Sequence, residues 1–364
     1  MQAGTFIANV AMALAAAGTP APSEAGWLAD RWPTILVAAV IAVVVILFVS
    51  VLAKYLRLTV NLFLDTPLPV PATLHNYDPP EGEVVSFPSR DGWTLRGMFI
   101  NPPGQGPDRG TVIFCHEFAS DMASAGRYAC PLVEAGFTVF TFDFRGHGAS
   151  FTPPHFEPRH WPSHHEVNDV LAAIAYVRSR CDVSRTGIGI LGVSRGAAAA
   201  VMAAALNPFV RCLVLDGVFS TDYSIEELMK RWAQIFSRIN LAKANHPNFV
   251  YRFLRALTLL YVELKCRCRF PSTRKALEKL GAVPALFICG ERDTYVLPEQ
   301  VRVLYELKPG EKDLWICPEA KHNQAVASDP KQYAERITAF FSRHLSAAES
   351  ADDVRPDRRI GGAG

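Results

Sequence analysis

The chain has 364 residues, of which 49% are hydrophobic and 20% are charged, and its formal net charge is +2. This length is sufficient for one large globular domain with additional segments. The balanced charge, without a basic stripe that carries interleaved aromatic residues, excludes nucleic acid from the expected partners. The eight cysteines lie mostly in apolar runs. They are therefore interpreted as small buried hydrophobic residues, which favours a reducing compartment.

A long apolar run near the N-terminus predicts one transmembrane helix. Residues 33–53 contain no charged side chain, and about 20 such residues span the hydrocarbon core of a bilayer. Residues 1–32 precede the run and include an alanine-rich stretch that is weakly similar to a signal peptide. Because this stretch lacks a basic leading segment, we interpret it as a disordered or hydrophobic tail.

The charges beside the apolar run indicate its orientation. Lys54 and Arg57 follow the run, whereas only Arg31 precedes it. The positive-inside tendency therefore favours the cytoplasm for the large C-terminal part of a single-pass membrane protein. Residues 54–80, which are rich in proline towards their end, are interpreted as a tether between membrane and domain.

Beyond the tether, extended and helical patterns alternate. Two extended runs flank Asp91-Gly92, a pair that favours the tight turn of a β-hairpin. Short apolar runs separated by amphipathic helical segments follow, which predicts a mostly parallel sheet with helices on both faces. We assign residues 81–220 and 283–346 to this core and interpret residues 347–364 as a disordered tail.

One long segment interrupts the alternation. Residues 221–282 contain three helical patterns and no strand pattern, and the segment begins where a strand ends. We expect such an insertion to form a helical cap over a cleft. Within it, residues 248–265 are apolar on most of the helix circumference, which suggests an acyl or lipid-like substrate. Packing of this helix against the sheet domain would explain the same pattern.

The pattern Gly192-Val193-Ser194-Arg195-Gly196 joins a run of strand length to an alanine-rich helical run. A serine on such a sharp strand-to-helix turn projects its hydroxyl into a cleft. The N-terminus of the helix then points its free N–H groups at the place where an oxyanion would form. The alternative is a glycine-rich turn with an incidental serine, which applies if no partner histidine and acid exist.

These features resemble the α/β-hydrolases, and among them the serine hydrolases that include monoacylglycerol-lipase-like enzymes, acyl esterases and serine aminopeptidases. The resemblance covers roughly residues 84–345. It is carried by the serine turn, by the D-x-R-G-x-G-x-S run at Asp143–Ser150 and by a late acid and histidine. It implies an eight-stranded, mostly parallel sheet with helices on both faces and a helical cap insertion, here preceded by a transmembrane helix. No cofactor and no metal site is expected, since Cys266-Arg267-Cys268 has no matching ligand pair nearby.

The resemblance also implies a triad in the chain order serine, acid, histidine. Ser194 is then the nucleophile, Asp293 the acid and His322 the base, the last two in loops that follow strands. An imidazole is needed to take the serine proton, and a carboxylate fixes the tautomer of that imidazole and stabilises its charged form. The alternative is that Asp293 caps its own loop and that Glu291 or Asp216, which also ends a strand, is the acid.

Two backbone N–H groups are expected to stabilise the oxyanion, one from Arg195 and one, by position in the family's loop, from Phe118. Members of the family commonly carry His-Gly in this loop, whereas this chain has His116-Glu117. A charged Glu117 near the oxyanion would oppose it, so we expect the side chain to turn away. His116 is interpreted as a structural residue.

The predicted activity is serine-dependent hydrolysis of an ester, thioester or amide, with a carboxylesterase or lipase-like acyl hydrolase favoured. The expected partners are a small-molecule or lipid-like acyl substrate and the membrane, through residues 33–53. A serine aminopeptidase is one alternative, for which only Glu226, Glu227 or other cap acids could bind the substrate amine. A non-catalytic membrane-anchored scaffold is the other alternative. Only the presence of Glu117 where the family commonly has glycine favours it.

Overall fold

The structure is a computed structural model that describes residues 24–65, 79–104, 109–180, 187–236 and 248–345. The interpretations of the first 23 residues, of residues 66–78 in the tether and of the tail at 347–364 lie outside the described residues. The chain divides into two compact units, Met1–Leu58 and Thr59–Gly364.

The first unit is described by helix α1 (Glu24–Asp65), whose last turns belong to the second unit. Its stretch Arg31–Leu64 has a window of mean hydropathy 3.4 and is long and apolar enough to cross a membrane. The large apolar side chains between Trp32 and Val51 are exposed. The helix extends beyond the predicted span at both ends, so that the first part of the predicted tether is helical.

The second unit is built on one sheet of eight strands in the order β1-β2-β4-β3-β5-β6-β7-β8. The first two neighbouring pairs in this order are antiparallel and the others are parallel. This confirms the predicted fold class. The strands are β1 (Glu83–Pro88), β2 (Thr94–Ile100), β3 (Thr111–Cys115), β4 (Thr138–Phe142), β5 (Ile188–Val193), β6 (Val210–Asp216), β7 (Ala285–Gly290) and β8 (Lys312–Cys317).

The character of each strand follows from its place in the sheet. The central strands β3, β4, β5 and β7 are buried along their whole length, as expected for parallel strands covered on both faces. At the edge, β1 and β2 form the predicted hairpin, with Pro88 opposite Thr94. Gly92 in the turn has a φ of 86°, a conformation that glycine adopts without steric cost.

Helices connect the strands and cover both faces of the sheet. After α1 they are α2 (Ala125–Tyr128), α3 (Cys130–Glu134), α4 (His164–Ser179), α5 (Arg195–Ala204), α6 (Thr221–Phe236), α7 (Asn248–Cys266), α8 (Thr273–Lys279), α9 (Pro298–Leu307), α10 (Ala325–Ser328) and α11 (Pro330–Leu345). Residues 125–134 form two short helices rather than one, because Pro131 cannot donate a helical hydrogen bond and instead lies in the first turn of α3. Helices α6, α7 and α8 occupy the predicted cap segment.

A buried arginine holds the loop after β4 in place. The Arg145 guanidinium donates to Asp169 of α4, with Nη2 to Oδ1 at 2.6 Å and Nε to Oδ2 at 3.0 Å. It also donates to Asp91 of the hairpin turn, with Nη2 to Oδ1 at 2.7 Å. Arg145 and Asp169 are both almost fully buried. Arg145 therefore connects three segments that are distant in sequence: the hairpin turn, the loop after β4 and helix α4.

We expect Asp169→Ala to lower the free energy of unfolding by about 1–3 kcal/mol, because the buried guanidinium would lose its fully buried partner and keep only Asp91. The measurement is a urea titration of the full chain in detergent micelles. Glu335→Ala is the matched control, since its exposed pair with Lys331 is 4.0 Å long and a change within about 0.5 kcal/mol is expected. Equal effects of the two substitutions would contradict the structural role of the buried pair.

Candidate active site

The Gly192–Gly196 pattern forms the turn between β5 and α5. Ser194 occupies this turn with a φ of 52°, a conformation that non-glycine residues rarely adopt and that the surrounding structure must enforce. The enforcing contact is close packing: a Cβ atom on Gly196 would lie 2.1 Å from the carbonyl oxygen of Cys115. The Ser194 N–H also donates to the Asp216 carbonyl at 2.7 Å. Contacts with the ends of β3 and β6 therefore fix the conformation of the turn.

The structure brings the three predicted triad residues together. Ser194 Oγ lies 2.9 Å from His322 Nε2, and His322 Nδ1 lies 2.6 Å from Asp293 Oδ2. The three residues come from the loops at the carboxyl ends of β5, β7 and β8, which parallel strands place at one edge of the sheet. The imidazole therefore bridges a hydroxyl and a carboxylate.

Asp293 is held firmly for this contact. Its side chain is buried, and its second oxygen, Oδ1, accepts the backbone N–H groups of Tyr295 at 2.8 Å and Val296 at 2.9 Å. Because Oδ1 binds the loop, Oδ2 is left for the imidazole. The loop-capping alternative for Asp293 does not conflict with the predicted triad role, since one carboxylate makes both sets of contacts.

Asp216, the alternative acid, lies at the end of β6 and is buried. No hydrogen bond joins its carboxyl to His322 among the described residues. Burial raises the pKa of Asp216 to about 7, and the nearby His322 and Tyr333 only partly oppose this shift. Glu291, the other alternative, accepts the backbone N–H of Glu319 at 3.2 Å.

The two predicted oxyanion donors belong to the loop after β3, which carries Phe118, and to the residue that follows Ser194, which is Arg195. Within the described ranges, neither the backbone N–H of Phe118 nor that of Arg195 donates to another group of the protein. Arg195 is the first residue of α5, so its N–H group belongs to the unpaired set at a helix N-terminus. These two donors are available to a ligand atom.

The side chain of Arg195 has a structural role that sequence reasoning missed. It is fully buried, its Nη2 donates to Glu166 Oε1 at 2.5 Å, and its guanidinium lies 5.8 Å from the ring centroid of Phe118. The arginine therefore packs one donor residue against the other. A signal was present in the sequence, since Glu166 and Asp169 interrupt the apolar face of α4, where an acid is expected only with a buried partner.

Glu117, which replaces the family's glycine, is buried. Its Oε1 accepts from the Tyr128 hydroxyl at 3.4 Å, and that hydroxyl also lies 3.3 Å from the carbonyl oxygen of Asn323. Burial raises the pKa of Glu117 to about 7, against smaller lowering effects of Arg127, Tyr128 and His322. The carboxyl thus lies against α2, at the side of the loop that faces the histidine loop.

His116 connects the loop after β3 to the loop that follows β4. Its Nε2 accepts the Phe144 N–H at 3.2 Å, and its Nδ1 lies 2.6 Å from the carbonyl oxygen of Glu117. These partners require a neutral ring with the proton on Nδ1, in agreement with burial that lowers the pKa of His116. In the part of the chain that the structure describes, no group of three or more His, Cys, Asp or Glu side chains could hold a metal ion.

Comparison with known proteins gives one family. A model of the alpha/beta hydrolase family matches residues 112–336. The uncharacterized protein YfhR of Escherichia coli O157:H7 is 26% identical over 309 residues, which cover 83% of this chain and 94% of that protein. YfhR of Salmonella typhi is 32% identical over 199 residues, which cover 50% of this chain and 64% of that protein. The acyltransferase drtE of Aspergillus calidoustus is 24% identical over 282 residues, which cover 68% and 90%.

Solved structures share the fold at low sequence identity. The esterase Pf2001 of Pyrococcus furiosus has a TM-score of 0.53 at 22% identity and covers 77% of this chain and 97% of its own. DcsB, solved in complex with its substrate analogue, has a TM-score of 0.55 at 19% identity and covers 73% of this chain and 100% of its own. At these identities the likeness concerns the arrangement of the sheet and its helices.

Proposed function

Since the chain belongs to the alpha/beta hydrolase family, we propose that it is a membrane-anchored serine hydrolase that cleaves an ester, thioester or amide through an acyl-enzyme. The observation that carries this proposal is the line of two hydrogen bonds from Ser194 through His322 to Asp293. A scaffold without catalysis would have no need to hold a serine in a strained turn against an imidazole.

Acylation begins when the substrate carbonyl carbon comes within reach of Ser194 Oγ. His322 Nε2 takes the hydroxyl proton as the new C–O bond forms, and Asp293 Oδ2 stabilises the imidazolium that results. The carbonyl oxygen becomes an oxyanion, which the N–H groups of Phe118 and Arg195 stabilise. The tetrahedral intermediate then expels the leaving group, which receives the proton from His322.

Deacylation repeats these steps with water. His322 takes a proton from a water molecule as the water oxygen attacks the acyl carbon. The second tetrahedral intermediate then breaks its bond to Ser194 Oγ, which receives the proton back from His322. The products are a carboxylic acid and free enzyme. No redox partner or metal enters this sequence of steps.

A carboxylic ester is the favoured substrate, and the state of the cap acids disfavours the aminopeptidase alternative. Glu226 accepts from Arg255 at 2.7 Å, and Glu227 accepts from Lys230 at 2.8 Å. Carboxylates already paired with basic side chains are poor receptors for a substrate amine. An acyl substrate without a free amine needs no such receptor.

The proposed anchor is residues 33–53 of α1, with the hydrolase core at 81–220 and 283–346, the cap at 221–282 and the cytoplasm as the proposed compartment of the catalytic domain. The exposed apolar surface of α1 supports the anchor, since a helix that is apolar all round is stable in lipid and costly to hydrate. The basic residues after the span support the orientation.

We expect Ser194→Ala to abolish labelling by a fluorophosphonate probe and hydrolysis of short p-nitrophenyl esters, because no other group would attack the electrophile. Gel fluorescence of the purified full chain after probe treatment measures the labelling. Ser220→Ala is the control, since this buried serine lies in the loop before α6 and should leave labelling unchanged. Full labelling of the Ser194→Ala protein would refute the proposed nucleophile.

The identity of the acid is tested by a matched pair. Asp293→Asn should lower kcat for ester hydrolysis by about 10⁴-fold, because an amide would favour the wrong tautomer of His322. Asp216→Asn should lower kcat by less than about tenfold, since no hydrogen bond connects that side chain to the imidazole. Steady-state kinetics of both variants on the same ester decide the question, and the reverse ranking would assign the role to Asp216.

The buried carboxyl of Glu117 predicts a pH effect. With a pKa of about 7, it is neutral below that pH and carries a negative charge beside the oxyanion loop above it. We therefore expect kcat to fall above about pH 7 in the wild-type protein, and Glu117→Gln to remove that fall. A pH profile of kcat from 5.5 to about 9 measures both. An alkaline limb that survives in Glu117→Gln would show that another group causes it.

A further inference from the structure

Helix α7 exposes a continuous apolar stripe. Phe249, Phe253, Leu260 and Leu264 are between 49% and 71% exposed, and Ala256 between them is exposed as well. At 100° per residue, these five positions fall within about a quarter of the helix circumference. Scattered apolar residues on a surface are ordinary, but a stripe along four turns of one helix indicates a partner.

The opposite side of α7 packs against the end of α1. Thr258 and Val262 are the fully buried residues of α7, and both lie on the side away from the stripe. The Thr258 hydroxyl lies 2.7 Å from the hydroxyl of Thr59, in the last turns of α1. The stripe is therefore the outward face of a helix whose inward face is already occupied.

A second group of contacts fixes the same end of α1 to the catalytic unit. The Phe63 ring stacks on Trp161 with a centroid distance of 5.4 Å and meets Phe270 edge-on at 4.9 Å. Trp161 Nε1 donates to the Phe63 carbonyl, and Arg159 Nη1 donates to the Leu64 carbonyl. The end of the helix that carries the apolar run is thus part of the packed domain.

Basic residues lie towards the two ends of α7. Among the described residues, Arg252, Lys265 and Arg267 have no acidic partner. A cavity of about 480 Å³ opens where α7 ends, and Arg159, Lys265 and Arg267 contribute to its lining. Cations near the ends of a helix with an exposed apolar face complement a surface that presents anionic headgroups above acyl chains.

We infer that α7 lies on the surface of an anionic lipid bilayer, with its apolar stripe among the acyl chains and its terminal basic residues among the headgroup phosphates. Only five residues of the sequence separate the predicted span at 33–53 from Thr59, the first residue of the second unit. The bilayer is therefore the partner that the chain itself supplies. This inference rests on the proposed anchor but not on the proposed hydrolysis.

The consequence is a second attachment to the membrane, one that the anchor alone does not provide. A single membrane-spanning helix leaves the attached domain free to tilt towards or away from the bilayer. A cap helix seated at the headgroups would limit that tilt and keep the cap facing the lipid.

The test uses the full chain in nanodiscs of phosphatidylcholine and phosphatidylglycerol that contain lipids with brominated acyl chains. Leu264→Trp places a reporter on the stripe, and Leu206→Trp places one on a side chain that is 66% exposed in the loop after α5. Emission is measured for each variant after subtraction of the wild-type signal. We expect the Leu264→Trp reporter to be blue-shifted and at least about twofold more quenched than the Leu206→Trp reporter.

Two further measurements separate the contribution of the basic residues from binding of free phosphate. Lys265→Ala combined with Arg267→Ala should remove any dependence of the quenching on phosphatidylglycerol, whereas added inorganic phosphate should leave the quenching unchanged. Competition by phosphate would identify the cavity as a site for a free anion and would overturn the headgroup assignment. Thermal unfolding midpoints equal to that of the wild type establish that the variants are folded.

Equal quenching at positions 264 and 206 would overturn the inference. A dimer in sedimentation measurements with an unquenched Leu264→Trp reporter would assign the stripe to a second copy of the chain instead. Fluorophosphonate labelling of the same samples reports on the proposed hydrolase separately. Lost labelling with quenching intact would reject the hydrolase and leave the membrane contact standing.

Discussion

The site depends on one imidazole that is held between two oxygen atoms. His322 lies 2.9 Å from Ser194 Oγ and 2.6 Å from Asp293 Oδ2, and each partner is itself fixed by backbone contacts. The close approach of Gly196 to the β3 loop fixes the serine, and two N–H groups fix the carboxylate. The proposed chemistry needs no rearrangement of these groups, because each already lies where it would act.

Buried ion pairs organise the loops around this site. Arg195 binds Glu166, and Arg145 binds Asp169, so helix α4 supplies one carboxylate to the nucleophile turn and one to the loop after β4. A buried charge is stable only with a well-placed partner, which makes each pair a constraint on where its loop can lie. The positions of the Ser194 turn and of the loop after β4 thus depend on a helix that contributes no residue to the contacts of Ser194, His322 and Asp293.

Apolar side chains lie both inside the packed sheet and on exposed helix surfaces. Its sheet buries apolar strands on both faces in the usual way, whereas α1 and the stripe of α7 leave apolar side chains outside. The contacts of Thr59 and Phe63 lie within the second unit, where the last turns of α1 pack against α7 and against Trp161.

Local chemistry in the sequence was enough to determine the alternation of strands and helices, the hairpin at Asp91-Gly92, the serine turn and the apolar run of α1. These features depend on side-chain periodicity and turn residues, which act over a few positions. Only the tertiary structure decided that Asp293, rather than Asp216, contacts His322, since both aspartates end strands and sequence spacing does not reveal distance. The tertiary structure alone also showed that Arg195 pairs with Glu166 and that the apolar face of α7 is exposed. The pattern of a helix shows that it has an apolar face, but not which part of the molecule or which solvent contacts that face.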